Sequence, residues 1–287
     1  MPGFPIIDSH VHFIDPRRFR YAWLASRPSI DRPLLPPDFA EATAGVAVEG
    51  VVFVEAWPDH GQHMAEAQFA QALADAGAPI LGIVANIPVV PGSVADLDPL
   101  RRLPLLRGAR HLIEGALDPT FCLEPFFLAG VRAAAAAGLP FDLCLKHWAL
   151  PFATELARRV PEAIFVLDHI GKPGIRQGLR EPWWRGIAEI ARLPNVICKM
   201  SGVITEADHA DWTVETIRPY VERAAECFGF ARLMFGSDWP VSEVTHSYGR
   251  WVEILDRVFA GCSHNELRAF YRETATRTYR LDFPSKQ

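Results

Sequence analysis

The residues with the clearest chemical capacity stand at the ends of apolar runs. Ile6-Ile7-Asp8-Ser9-His10-Val11-His12 carries two histidines two positions apart. Side chains alternate along a strand, so His10 and His12 point to one face, roughly 6.6 Å apart along the chain. Two imidazoles so spaced can converge on one divalent cation, although a buried hydrogen-bonded pair is the plainer reading of an isolated HxH. Phe165-Val166-Leu167-Asp168-His169 delivers a third imidazole at the end of a hydrophobic run and continues into Ile170-Gly171-Lys172-Pro173. Leu233-Met234-Phe235-Gly236-Ser237-Asp238-Trp239-Pro240 ends on a carboxylate that could hold a cation or take a proton from water. Alone, Asp238 would read as an Asx-turn residue. With three histidines nearby in pattern, general-base or metal-site chemistry is the better expectation.

Positioning these groups requires a scaffold that brings several strand ends together. Short β-branched runs predict eight strands: Ile6 to Phe13, Gly50 to Ala56, Ile80 to Ile87, Gly108 to Ile113, Phe141 to Leu145, Ile164 to His169, Val196 to Met200 and Leu233 to Gly236. Helical patterns over Met64 to Ala76, Pro125 to Ala137, Trp183 to Arg192, Thr213 to Phe228 and Ser247 to Ala260 alternate with them, and His264 to Tyr279 closes the chain. This rhythm predicts a single α/β domain over residues 1–287, a (β/α)8 barrel of TIM type. An open doubly wound sheet is the alternative, but no GxGxxG or GxxxxGK[ST] follows any strand. The proline-rich stretch from Asp15 to Asp38 reads as a long loop over the barrel mouth.

Barrel enzymes act at the C-terminal ends of their strands, and those positions supply further candidates. Glu55 and Trp57 follow the second strand, and Arg110 and His111 the fourth. Trp57, Trp148 and Trp239 suit the apolar face of a sugar ring, or plain packing. Lys199 and Asp142 lie within apolar strands, where a charge needs a partner. His60 and His63 read as surface residues, and Lys172 as a solvated loop residue.

Taken in order, Asp8-Ser9-His10-Val11-His12, Asp168-His169-Ile170-Gly171-Lys172-Pro173, Cys198-Lys199-Met200-Ser201-Gly202 and Phe235-Gly236-Ser237-Asp238-Trp239-Pro240 resemble the sugar lactonases of the amidohydrolase superfamily. That group includes fuconolactone and rhamnonolactone hydrolases and 2-pyrone-4,6-dicarboxylate lactonase. The resemblance runs from the first strand to the last and implies an amidohydrolase-like barrel. It implies that His10, His12 and His169 polarise a lactone carbonyl, with or without one divalent metal, zinc by preference, held by these histidines and Asp238. It implies that Asp238 activates water and that Arg110 and His111 hold substrate, with Glu55, Trp57, Lys199 and Trp239 as further contacts. The bridging lysine of two-metal members has no counterpart on strand four, where this chain offers Arg110.

The expected activity is hydrolysis of an aldonolactone, such as a fucono-, rhamnono- or galactonolactone, to the open-chain acid. A pyrone dicarboxylate lactonase, a metal-dependent decarboxylase and a lactone isomerase are alternatives on the same scaffold, and a sugar-acid binding protein is the non-enzymatic one. A net charge of −5 without a Lys/Arg run gives nucleic acid and anionic membrane no purchase. No secretory leader or membrane-spanning run is visible, and the five scattered cysteines read as reduced thiols, so a cytoplasmic enzyme is expected. Oligomeric state has no signature in the sequence.

Overall fold

The computed structural model describes residues 2–87, 89 and 97–283. Among them, eight strands form one parallel sheet in chain order: β1 (Ile6–Val11), β2 (Val48–Val54), β3 (Ile80–Asn86), β4 (Leu106–Arg110), β5 (Phe141–Leu143), β6 (Phe165–Leu167), β7 (Val196–Met200) and β8 (Leu233–Phe235). The residues just past β8 close the ring. The His12 N–H donates to Trp239 O at 2.8 Å and the Asp238 N–H donates to His10 O at 2.9 Å. The expected (β/α)8 barrel is therefore the fold, and its closure joins the histidine pair directly to the carboxylate.

Helices follow the strands: α1 (Pro36–Ala42), α2 (His63–Asp75), α3 (Asp98–Arg101), α4 (Pro125–Ala136), α5 (Leu150–Arg159), α6 (Trp183–Ala191), α7 (Val214–Phe228) and α8 (Tyr248–Val258). The terminal stretch His264–Tyr279 is helical but broken by one π-turn at Ala269–Glu273. No helix among the described residues is long and apolar enough to cross a membrane. Helix α5 has no counterpart in the sequence reading. It begins Leu150-Pro151, and proline is tolerated in a first helical turn because its missing N–H would have no partner there.

The core has two parts. The larger lies between the outward strand faces and the helices. The smaller fills the barrel: Ile7, Val52, Val84, Val166 and Met234 meet Ala275 and Tyr279 of the C-terminal helix and Leu281 just beyond it, which together floor it. Two residues beyond this layer, the same inward alternation carries Arg110 on β4 from Gly108, Asp168 past β6 from Val166, and Lys199 on β7 from Ile197. On β1 the pairing register shifts between Asp8 and Val11, so Ile7 and His10 both face inward.

Leu150 shows how a helix supports the mouth. It is fully buried, and glycines at 171 and 186 let backbone pack onto it, since a Cβ at either would lie 3.0 Å from a Leu150 methyl. Gly171 follows the turn that holds His169. We expect Leu150→Ala to destabilise the fold by about 2–5 kcal/mol through lost burial and the cavity left behind. Urea unfolding monitored by fluorescence tests this; a loss below about 1 kcal/mol would mean that the neighbouring segments collapse into the space.

Candidate active site

The mouth of the barrel is built by strand ends that turn sharply. His169 and Ile170 take left-handed backbone angles (φ 54° and 49°), as do Trp57 (φ 56°) and Asp238 (φ 62°). Such conformations are costly for residues with a Cβ and persist only where surrounding contacts enforce them. The enforcing contacts are present. The Trp183 indole N–H donates to Ile170 O at 2.7 Å, the Trp57 N–H donates to Glu55 Oε2 at 2.8 Å, and the Ser237 N–H donates to Asp8 Oδ1 at 2.9 Å. Each turn swings its side chain inward. Gly202 leaves the necessary room: a Cβ there would lie 2.7 Å from His169 Nδ1 and 3.0 Å from Asp238 Oδ2.

Four expected catalytic residues come together. Asp238 Oδ1 lies 3.4 Å from His12 Nε2 and 3.7 Å from His10 Nε2, and the His10 and His169 rings are 4.5 Å apart at their centroids. The candidate metal donors fall into two overlapping groups: His10, His12 and Asp238 in one, His10, Asp168 and His169 in the other, with ligand atoms within 4.8 Å of one another in each.

Hydrogen bonds set the tautomers. A carbonyl only accepts, so His12 donates Nδ1–H to Val54 O at 2.7 Å and turns the Nε2 lone pair inward. His10 Nδ1 is 3.3 Å from both Asp168 Oδ1 and Lys199 Nζ, and these partners require opposite tautomers. Lys199 already donates to Asp142 Oδ2 at 2.5 Å and ion-pairs with Asp168 Oδ1 at 3.1 Å, which leaves the Asp168 carboxylate as the partner toward which the imidazole N–H points. Carboxylate–histidine pairs of this kind orient metal-binding imidazoles. His10 Nε2, buried and without a hydrogen bond, then faces Asp238 with its lone pair. Two imidazole lone pairs and a carboxylate oxygen converge with no proton among them. That set fits a divalent cation of the zinc kind.

Beneath this set lies a column of alternating charge. Glu55 Oε1 accepts from Arg110 Nε at 2.7 Å, Arg110 reaches Asp168 Oδ2 at 3.2 Å, and Lys199 joins Asp168 to Asp142. Tyr279 closes it, its hydroxyl 2.9 Å from each Asp142 oxygen. Burial alone would push the Asp168 carboxyl up, but Lys199, His10 and Arg110 outweigh it and hold the group well below the usual carboxylate range. Burial lowers His169 to about 4 and His10 well below the ordinary histidine value, so both imidazoles are neutral near pH 7. The Asp238 carboxyl is held below its usual range: burial opposes this, and the imidazoles of His169, His12 and His10, which attract the carboxylate in their protonated form, overcome it.

Above the set opens a cavity of about 230 Å3 whose walls include His12, His169, Asp238, Arg110 and Trp57. The other expected contacts lie elsewhere. His111 packs its ring beside Trp57 and bonds Ile87 O through Nδ1 at 3.0 Å. Lys199 and Glu55 are buried in the charge column. Trp239 is turned into the core against Phe13 and Phe39, its indole N–H donating to Glu243 Oε1 at 2.8 Å. The sequence reading missed Trp23 and Arg27, which reach the cavity from the proline-rich loop, and Glu114, which lies beyond β4. Lys172, read as solvated, pairs with Glu114 instead. Neither Trp23 nor Arg27 belongs to a periodic pattern; for Glu114 and Lys172 the signal was their place just past a strand end.

The amidohydrolase family profile matches residues 7–281. The chain is 35% identical over 196 residues to an L-fucono-1,5-lactonase of Burkholderia ambifaria, covering 67% of each chain. It is 30% identical over 294 residues to an L-fucono-1,5-lactonase of Burkholderia multivorans, covering 97% of each. The crystal structure of an amidohydrolase from Burkholderia multivorans with bound zinc superposes with a TM-score of 0.85 at 30% identity, over 97% of this chain and 100% of that one.

Glu114 offers a pH test of the cavity wall. Burial alone would raise it, but Lys172 and Lys146 bring it down from an ordinary 4.5 to about 2. A depressed carboxyl contributes stability that is present above its unfolded value and is lost as pH falls toward its folded one. We expect Glu114→Gln to lower the melting temperature near pH 7, and the gap from the unsubstituted protein to shrink steadily between about pH 4.5 and 2. Thermal melts across that range decide it. A pH-independent gap would assign the loss to packing.

Proposed function

The chain is a member of the amidohydrolase family and a hydrolase, and on that premise we propose that it opens a sugar-acid lactone to the free acid, with Asp238 activating the water. The observation that carries this reading is the ionised Asp238 carboxylate, fixed by the β8 turn against His10 and His12 at the floor of a cavity. The extended similarity to an L-fucono-1,5-lactonase supplies the ester class.

The two Asp238 oxygens face different neighbours, and this divides the labour. Oδ1 is turned to His12 and His10, while Oδ2 lies on the Gly202 and His169 side. His10, His12 and Oδ1 would hold a divalent ion, which when bound supplies Lewis-acid polarisation of a carbonyl. Oδ2 remains to take a proton from water as its oxygen bonds to the lactone carbonyl carbon. The Ser201 hydroxyl, 2.9 Å from His169 Nδ1, can donate there and leave the His169 proton on Nε2, where it is available to the developing oxyanion. The ring C–O bond then breaks, and Asp238 returns its proton to the departing alkoxide. One water is consumed, and the product is an open-chain hydroxy acid. Trp57, a cavity wall held by its bond to Glu55, offers a flat face to the sugar ring.

A pH-indicator screen of purified protein against fucono-, rhamnono- and galactonolactones is expected to show acid release. Asp238→Asn should lower kcat by about 10²–10⁴-fold with unchanged circular dichroism. A chelator should reduce activity, with recovery on adding zinc. Near-full activity in the Asp238 variant would remove this residue from the base role, and silence on every lactone from folded protein would reject the lactonase reading.

A further inference from the structure

We propose that Arg27 reads an anionic substituent on the lactone, so that the substrate class is a sugar lactone bearing a second carboxylate, of the aldarolactone type. The inference rests on the lactonase reading above and deepens it. The charges around the cavity are nearly all paired. Arg110 is committed to Glu55 and Asp168. Lys172 is committed to Glu114, which also meets Lys146. Asp238 faces the imidazoles. Among the described residues Arg27 makes no ion pair, yet it lines the same cavity.

Arg27 is also held in place. Its guanidinium carbon lies 5.4 Å from the Trp23 ring centroid, and Trp23 is fixed by its indole N–H donating to Ala56 O at 2.8 Å. The loop beneath is pinned in turn by the Tyr21 hydroxyl, 3.0 Å from the buried Glu66. A partly buried guanidinium stacked on a fixed indole, with its N–H fork unspent, matches the planar two-oxygen geometry of a carboxylate. A neutral sugar hydroxyl offers one oxygen and no charge, and would use this group poorly. The cavity, at about 230 Å3, is below the ~300–1,000 Å3 usual for larger ligands, which points to a single small ring. Asp238 and the imidazoles stand at the reacting carbonyl, so the acidic group is the ring substituent that meets the loop carrying Arg27.

The test compares matched pairs: aldonolactones and aldarolactones of the galacto, gluco and manno series, which differ only in a terminal hydroxymethyl against a carboxylate. The unsubstituted protein is expected to favour the acidic member of its best pair by at least about tenfold in kcat/KM, with the preference falling as salt rises. Arg27→Gln should erase that preference by raising KM about ten- to hundredfold for the acidic lactone, the range expected for a charged hydrogen bond, and leave the neutral lactone within about threefold. Arg27→Lys should restore part of the preference, because it keeps the charge and loses the fork. Equal losses on both members, or no preference before substitution, would overturn the proposal while the lactonase reading stands. If no lactone is opened, that reading falls, and calorimetric binding of aldarates against aldonates to the unsubstituted and Arg27→Gln proteins still decides the role of Arg27: equal affinity in both would refute it.

Discussion

A lysine sealed inside the barrel is the constraint on which the rest of the structure turns. Lys199 is fully buried, and an unpartnered ammonium there would cost several kcal/mol. Its neighbours meet that requirement: Asp142 and Asp168 on either side, with the Tyr279 hydroxyl completing the shell of Asp142. Two carboxylates against one cation leave a surplus negative charge, and Arg110 corrects it from β4, with Glu55 balancing Arg110 in turn. The alternation of sign sets each charge beside its opposite in a medium of low dielectric, where unpaired charge is disfavoured. Asp168 stands at the centre of the column, and its Oδ1 lies within reach of His10 Nδ1. The tautomer of a mouth residue is thus set by charge balance deep in the barrel.

The second constraint is geometric. Parallel strands aim their ends at the mouth but their side chains into walls, so a residue that must point at a substrate has to leave the strand direction. Trp57, His169 and Asp238 do so through left-handed backbone, each at about 1–3 kcal/mol. Every such turn is bonded to a neighbouring strand end or helix. Asp238 N–H meets β1 through His10 O, and the turn carrying His169 is held by Trp183 of α6. Strain at the mouth is therefore distributed across the barrel, and the helices that look like mere cladding carry part of it.

These two constraints explain what could be read from the sequence. Strand ends rich in His, Asp and Arg are visible because they interrupt apolar runs, and His10, His12, His169 and Asp238 do converge. The barrel itself follows from the βα rhythm. Helix α5 escaped because Pro151 and the short spacing before it masked a helix start that Leu150 completes by packing. Lys199 and Trp239 stand out by their places in and after apolar strands, but direction decides their use. Lys199 faces the barrel interior below the mouth, and Trp239, next to the strained Asp238, is turned outward to Phe13 and Phe39. A reversal at one left-handed residue sends adjacent side chains to opposite sides, which a periodicity argument does not capture. The loop residues Trp23 and Arg27 carried no periodic signal at all, since their position depends on contacts some 30 residues away in sequence, at Ala56.

That loop is moored under the same electrostatic constraint. Two buried glutamates, Glu55 and Glu66, sit beside the end of β2, and Arg110 can neutralise only the one it touches. Burial together with the nearby Glu55 pushes Glu66 well above the ordinary carboxyl range, which favours its protonated form. A neutral Glu66 still accepts from the Ala56 N–H and the Tyr21 hydroxyl, so the mooring survives without adding negative charge under the loop. Had Glu66 been ionised, it would have offered a competing acid close to the segment that carries Arg27. Leaving it protonated keeps the cationic character of that wall intact, and the wall opposite, closed by Glu114 with Lys172, remains internally balanced. One cavity therefore takes an unspent guanidinium from the loop and the Asp238–histidine set from the strand ends.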